Sequence, residues 1–194
     1  MCGDAISVRL TNLIYLWPTL AVLIFDQLSK HFVRSSMNLG ETINVIGEEF
    51  FKLTYVQNSG IAFGLKPGSP LSLIIFSSLA SIVILYILLT SHKNHSLAKP
   101  KTVRISLALI LGGAIGNLID RIHSGRVTDF LDFDFPDFIM TRWPIFNIAD
   151  SAVTVGVSIW CIYLLFTSGD KKEKLAESVK QNDTYTSEID SPEI

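Results

Sequence analysis

The chain has 194 residues, 48% of them hydrophobic and 18% charged, with a positive mean hydropathy, whereas soluble domains carry about 25% charge. A net charge of −2 supplies no basic field for nucleic acid, so no DNA or RNA partner is expected. Cys2 and Cys161 form no spaced framework and argue for neither a disulfide scaffold nor a metal site.

Four uncharged stretches organise the chain: Leu10–Phe25, Pro67–Ser91, Ile105–Ile119 and Ser151–Gly169. They predict an all-α integral membrane protein with four transmembrane helices, at about 10–30, 69–91, 104–121 and 149–168, forming one domain over 1–167. The first and third stretches have only 16 and 15 residues, short of the roughly 20 needed to cross hydrocarbon. Both must borrow charged residues, which puts Asp26 and Asp120 in the last turns of their helices, near one membrane face. Arg9 is offset by Asp4, and no small-residue cleavage site precedes Asp26, so the first span is expected to stay in the mature protein.

The basic residues set the orientation. Lys93, Lys99, Lys101 and Arg104 lie between spans two and three, and Lys171, Lys172 and Lys174 follow span four. By the positive-inside rule these segments and both termini are cytoplasmic. The 38–66 and 122–147 loops are then extracytoplasmic. Within the first, residues 42–46 and 50–56 alternate around Gly47-Glu48-Glu49, predicting a small amphipathic hairpin. The second is dense in aromatics, Phe130, Phe133, Phe135, Phe138, Trp143 and Phe146, and reads as an interfacial loop. Asp132, Asp134 and Asp137 lack ordered calcium-ligand spacing and are expected to be solvated there. The polar segment 168–194 predicts a disordered tail. No internal repeat supports a duplicated transporter.

Ionisable groups in hydrocarbon cost about 2.5–3.5 kcal/mol each on insertion scales, so those near span ends point to function. Asp26 precedes Lys30 by four residues, in the favourable order for a helical ion pair. Asp26 then braces the site or positions substrate, and Lys30 snorkels toward headgroups. Asn58 and Gly60 suit a turn as well as a site. Gly112, Gly113 and Gly116 predict close helix packing. Asn117, Asp120 and Arg121 follow on that helix as a hydrogen-bonded brace, with Asp120 also a candidate catalyst by depth. Asn147 and Asp150 open the fourth span, where Asn147 suits a helix cap. Asp129 and Asp150 form a carboxylate pair at one edge of the apolar segments, the machinery of acid–base hydrolysis.

Taken together, Asp26-x-x-Ser29-Lys30, Asn58-x-Gly60-x-Ala62-Phe63, Gly112-Gly113-Ala114-x-Gly116-Asn117-Leu118-Ile119-Asp120-Arg121, Val127-x-Asp129-Phe130 and Phe146-Asn147-x-Ala149-Asp150 resemble the five motif blocks of lipoprotein signal peptidase. The blocks fall in the family's order over roughly residues 13–167. Ile61 and Ser29 depart slightly, where alanine and threonine are common. The resemblance implies an aspartic endopeptidase of the bacterial cytoplasmic (inner) membrane that removes the signal peptide from diacylglyceryl-modified prolipoproteins, cutting before the lipidated cysteine. It assigns catalysis to Asp129 and Asp150. Asp26, Lys30, Asn58, Gly60, Gly112, Asn117, Asp120, Arg121, Val127, Phe146, Asn147 and Ala149 become supporting or substrate-contacting positions. It further implies prolipoprotein and membrane-lipid partners, inhibition by globomycin-type peptides, and no metal or other cofactor. A zinc peptidase lacks its His-Glu-x-x-His pattern here. A proton-coupled carrier using intramembrane carboxylates, or a noncatalytic scaffold, is the competing reading.

Overall fold

The computed structural model describes residues 13–47, 50–60, 70–90, 100–134 and 143–167. A 3-10 turn, Ile14–Leu16, leads into helix α1, Trp17–Ser36. Strands β1, Thr42–Ile46, and β2, Phe51–Asn58, follow, then helices α2, Pro70–Thr90, and α3, Lys101–Ser124. Strand β3, Val127–Phe133, and helix α4, Ile148–Thr167, complete the fold. The segment 168–194, Asp137 and the Ala62-Phe63 pair of the second motif block lie outside the described residues.

Helices α2 and α3 and helix α4 are long and apolar enough to cross a membrane. Helix α1 is as long but carries Asp26, Lys30 and Arg34. It does not stop near residue 30, as the charge pattern predicts, but runs to Ser36. The three charges, spaced by four, lie along one face where tertiary partners neutralise them. Its opposite face is apolar and open, with Leu20, Phe25, Leu28 and Phe32 all exposed.

Helix α3 is the central post. Leu88 of α2 packs with Val103, Leu107, Ala108 and Leu111 of α3 in a buried cluster that Tyr163 of α4 joins. Side-chain volume is removed where helices must touch. A Cβ on Gly112 would stand 2.8 Å from the Val22 Cβ of α1, one on Gly113 would strike the Ala149 carbonyl of α4, and one on Gly156 would stand 2.7 Å from the Ser106 carbonyl. Close approach of this kind substitutes dispersion for the hydrophobic drive that lipid does not supply. The Thr19 hydroxyl adds a 2.8 Å bond to the Ala108 carbonyl across the α1–α3 seam.

The three strands form one antiparallel sheet in the order β1-β2-β3. The anticipated hairpin is thus present and extended to Asn58. The interfacial-loop expectation for 127–133 is corrected, because these residues are the third strand. Gly125, at φ 72°, provides the left-handed turn that ends α3 and starts β3 at once. Val33 and Met37 at the end of α1 pack with Tyr55 and Phe130, fixing the sheet to the helices. Phe133 stacks on Phe51 at 4.4 Å and on Phe146 at 5.8 Å, so part of the aromatic content serves packing within the sheet. Asp132 is also corrected: it is 1% exposed and accepts a 2.7 Å bond from the Thr54 hydroxyl.

The seam between α3 and α4 yields a test. Gly113→Ala would set a methyl against the Ala149 carbonyl and 2.7 Å from Val153 Cγ2. Overpacking costs about 1–3 kcal/mol, and a thermal midpoint in detergent lowered by several degrees is expected. An unchanged midpoint would mean the seam is not tightly closed.

Candidate active site

Two backbone arrangements bring the predicted residues together. Phe146 pairs with β3, its amide donating to Leu131 at 3.1 Å and its carbonyl accepting from Phe130 and Leu131 at 3.0 and 2.8 Å. Asn147 and Asp150 are thereby carried beside Asp129. At the start of α4 the two form a reciprocal cap: the Asp150 amide donates to Asn147 Oδ1 at 2.9 Å, and the Asn147 amide donates to Asp150 Oδ2 at 3.3 Å. Capping therefore occupies only one end of the Asn147 amide.

The other end faces the neighbouring carboxylate. Asn147 Nδ2 lies 2.6 Å from Asp129 Oδ1, 3.1 Å from Asn117 Oδ1 and 3.3 Å from the Thr128 carbonyl. Asn58 Nδ2 donates to Asp129 Oδ2 at 3.0 Å, and Asn117 Nδ2 donates to Asp150 Oδ1 at 2.8 Å. Three asparagines from three elements thus hold the two aspartates by neutral donors. Asp129 is 2% exposed. Burial, with the nearby charge of Asp150, pushes its carboxyl up to about 7, against the opposing hydrogen bonds from Asn58 and Asn147 and the charge of Lys30.

Behind this pair lies a charged layer. Lys30 is fully buried and does not snorkel; its Nζ turns inward to Asp26 Oδ2 at 2.9 Å, Asn117 Oδ1 at 2.9 Å and Asp120 Oδ2 at 3.3 Å. Burial of an ammonium is tolerable only with such compensation. Asp26 Oδ1 accepts from the Ala149 amide at 3.0 Å, and a Cβ on Gly116 would stand 2.6 Å from its other oxygen. Asp120 Oδ2 accepts from the Thr128 amide at 2.9 Å. Asp120 is thus turned toward α1 and β3 as a brace.

A cavity of about 640 Å³ opens on the pair, lined by Asp129, Asp150, Asn58, Gly60, Asn117 and Arg121, and on its apolar side by Val56, Val127, Trp143, Pro144, Ile145, Phe146 and Val155. Arg121 NH2 donates to the Gly60 carbonyl at 3.3 Å, while Asn58 Oδ1 accepts from the Gly60 amide at 2.8 Å. Gly112 lies away from this cavity, at the α1–α3 contact. Among the described residues no group of three or more His, Cys, Asp or Glu side chains could hold a metal ion. Chemically, two carboxyls sharing a proton beside an apolar cleft can both activate water and protonate a leaving group.

Sequence reasoning passed over Arg34, Thr128 and Gln27. Gln27 bridges Asp26 Oδ2 and the Gly116 carbonyl at 3.0 and 3.2 Å. Arg34 donates to Asp120 Oδ1 at 3.2 Å and to the Thr128 hydroxyl at 3.1 Å. Its spacing of eight residues from Asp26 and four from Lys30 was the available signal.

Residues 18–166 match the family model described as signal peptidase (SPase) II. A lipoprotein signal peptidase of Moorella thermoacetica is 42% identical over 157 residues, covering 81% of this chain and 96% of that protein. One from Alteromonas mediterranea is 39% identical over 170 residues, covering 86% and 87%. A bacterial membrane enzyme solved by the in meso method at 2.3 Å superposes with a TM-score of 0.70 at 31% identity, covering 84% of this chain and 92% of that one. The matched span contains every residue of the carboxylate pair and its supporting layer, and the chain belongs to the signal peptidase II family of peptidases.

Proposed function

We propose that the chain removes signal peptides from diacylglyceryl-modified prolipoproteins as an aspartic endopeptidase, cutting N-terminal to the lipidated cysteine. The observation that carries this reading is the pair Asp129 and Asp150, lining one cavity and held by Asn58, Asn117 and Asn147. The family's curated relatives, named lipoprotein signal peptidases, support the substrate class.

In the proposed reaction the dyad carries one shared proton. The ionised carboxylate draws a proton from water as the oxygen attacks the scissile carbonyl, and the protonated partner delivers its proton to the departing amine. Arg121, which lines the same cavity and donates to the Gly60 carbonyl, orients the peptide backbone or balances developing charge. The apolar wall of Phe146, Ile145 and Val155 receives the signal helix and the acyl chains. In the bacterial inner membrane α1 is the fourth crossing, its open apolar face against lipid and its ionic face against α3. Both termini are then cytoplasmic and the cavity faces the opposite side. Residues 1–167 make up the peptidase domain, and 168–194 a polar cytoplasmic tail.

Asp129→Asn and Asp150→Asn are each expected to abolish cleavage of a lipidated precursor in a gel-shift assay while the protein still inserts; near-normal turnover by either would remove the dyad.

The raised carboxyl of Asp129 fixes the sign of a pH effect. The folded state keeps a proton up to about 7 that the unfolded chain releases near 3.9. Stability is therefore lost as pH rises through that window and is level below it. The melting temperature of Asp129→Asn relative to wild type should climb between pH 5 and pH 8. A gap independent of pH would place the perturbed carboxyl elsewhere.

If lipid is the recognition handle, unlipidated precursor should be cleaved at least about tenfold more slowly, the loss of roughly 1.4 kcal/mol of transition-state binding. Globomycin should compete with the lipidated form. Equal rates on both precursors, or insensitivity to the peptide, would take lipid recognition out of the cavity.

A further inference from the structure

We infer that Arg34 is a positioning residue for the peptidase reaction, setting the place of Asp129 through Thr128. The inference rests on the dyad reading above. Thr128 is gripped at three points: its amide donates to Asp120 Oδ2 at 2.9 Å, its hydroxyl accepts from Arg34 NH1 at 3.1 Å, and its carbonyl accepts from Asn147 Nδ2 at 3.3 Å. Asp129 is the next residue. The three grips come from three elements, α3, α1 and the cap of α4, and the hydroxyl contact is the polar one that α1 makes to Thr128.

The geometry of a single nitrogen explains why arginine suits this place. Arg34 NH1 directs one N–H to Asp120 Oδ1 at 3.2 Å and one to the Thr128 hydroxyl. The planar guanidinium fixes the angle between the two acceptors, which a flexible ammonium does not. The end of α3 and the start of β3 are thereby held at a set distance from α1. Arg34 is also distinct from Lys30 in burial. Its side chain is 37% exposed, against 0% for Lys30, and ion pairs open to solvent contribute little to stability. Without Arg34, Asp120 keeps Lys30 and the Thr128 amide, so the fold retains its braces while the first residues of β3 gain freedom. A small displacement of a reacting group lowers turnover steeply without altering substrate contacts.

Steady-state kinetics on a lipidated precursor, with the full chain in detergent or proteoliposomes, test this. For Arg34→Met, kcat should fall about tenfold with KM within about twofold of wild type, as expected of misplacement by a fraction of an ångström. Arg34→Lys, which keeps charge without the fork, should recover part of the loss and stand about threefold below wild type. Thr128→Val should match Arg34→Met. The double variant should be no worse than the poorer single one, because both break the same bond. Wild-type kcat in Arg34→Met, a raised KM at unchanged kcat, or additive losses in the double variant would each overturn the inference. If Arg34→Met fails to fold while Arg34→Lys and Thr128→Val turn over at the wild-type rate, Arg34 is only a stabilising ion pair and the inference also falls. Asp129→Asn, run in parallel, separates the two failures: activity there removes the dyad, whatever Arg34 does.

Discussion

A buried ammonium organises this end of the molecule. Lys30 has no access to solvent, and its three partners, Asp26, Asn117 and Asp120, come from both helices of the α1–α3 seam. Each partner then reaches a further element: Asp26 to the Ala149 amide of α4, Asp120 to the Thr128 amide of β3, and Asn117 to Asp150. The four elements therefore meet through one charge. A buried ion pair is poor as a net source of stability, but removing one partner costs about 3–5 kcal/mol, because the remaining charge is left uncompensated. Such a centre specifies one arrangement of the helices and strands more than it strengthens it.

The same centre has an electrostatic consequence for the carboxylate pair. Lys30, Arg34 and Arg121 face Asp26, Asp120, Asp129 and Asp150 around one site. With all four acids ionised this set would be one charge short of neutral; with one proton shared between Asp129 and Asp150 it balances. Neutral amides complete the arrangement. Asn147 donates to Asp129 and accepts from the Asp150 amide, so one side chain touches both halves of the proposed dyad without adding charge to either. A lysine there would favour the ionised form of both carboxyls and drive off the shared proton.

Much of the helical framework was legible in hydropathy, because a residue facing lipid and one facing another helix are both apolar. The β1–β2 hairpin was legible too, through alternation around Gly47. Strand β3 was not. In Val127-Thr128-Asp129-Phe130-Leu131-Asp132, carboxylates stand at buried positions where a half-solvated strand would show apolar residues, so its period was hidden by the residues that give it interest. Helix α1 was cut short for a related reason. Asp26, Lys30 and Arg34 lower any local hydropathy window, and their neutralisation by Asn117, Asp120 and the Ala149 amide lies far away in sequence. Spacing placed Asp26 and Lys30 on one face but held no information on which way that face turned. Lys30 snorkelling and Lys30 buried look the same in one dimension.

The position of the cavity, at the seam between sheet and helices, bears on what it is built to do. A carrier must present its carboxylate to each side in turn, which requires the surrounding contacts to be exchanged during every cycle. Here Asp129 is held by donors from β2 and the α4 cap, and Asp150 by one from α3, while the cap itself binds Asn147 to Asp150 in both directions. Turning either carboxylate toward the far end of the helices would strand several of these buried donors, each at a cost of about 1–3 kcal/mol. Rigid placement is what bond cleavage requires, since reacting groups must stay within fractions of an ångström of their working geometry. In the reaction proposed above, the apolar wall beside them receives a greasy segment while the peptide bond that follows it meets the two carboxyls.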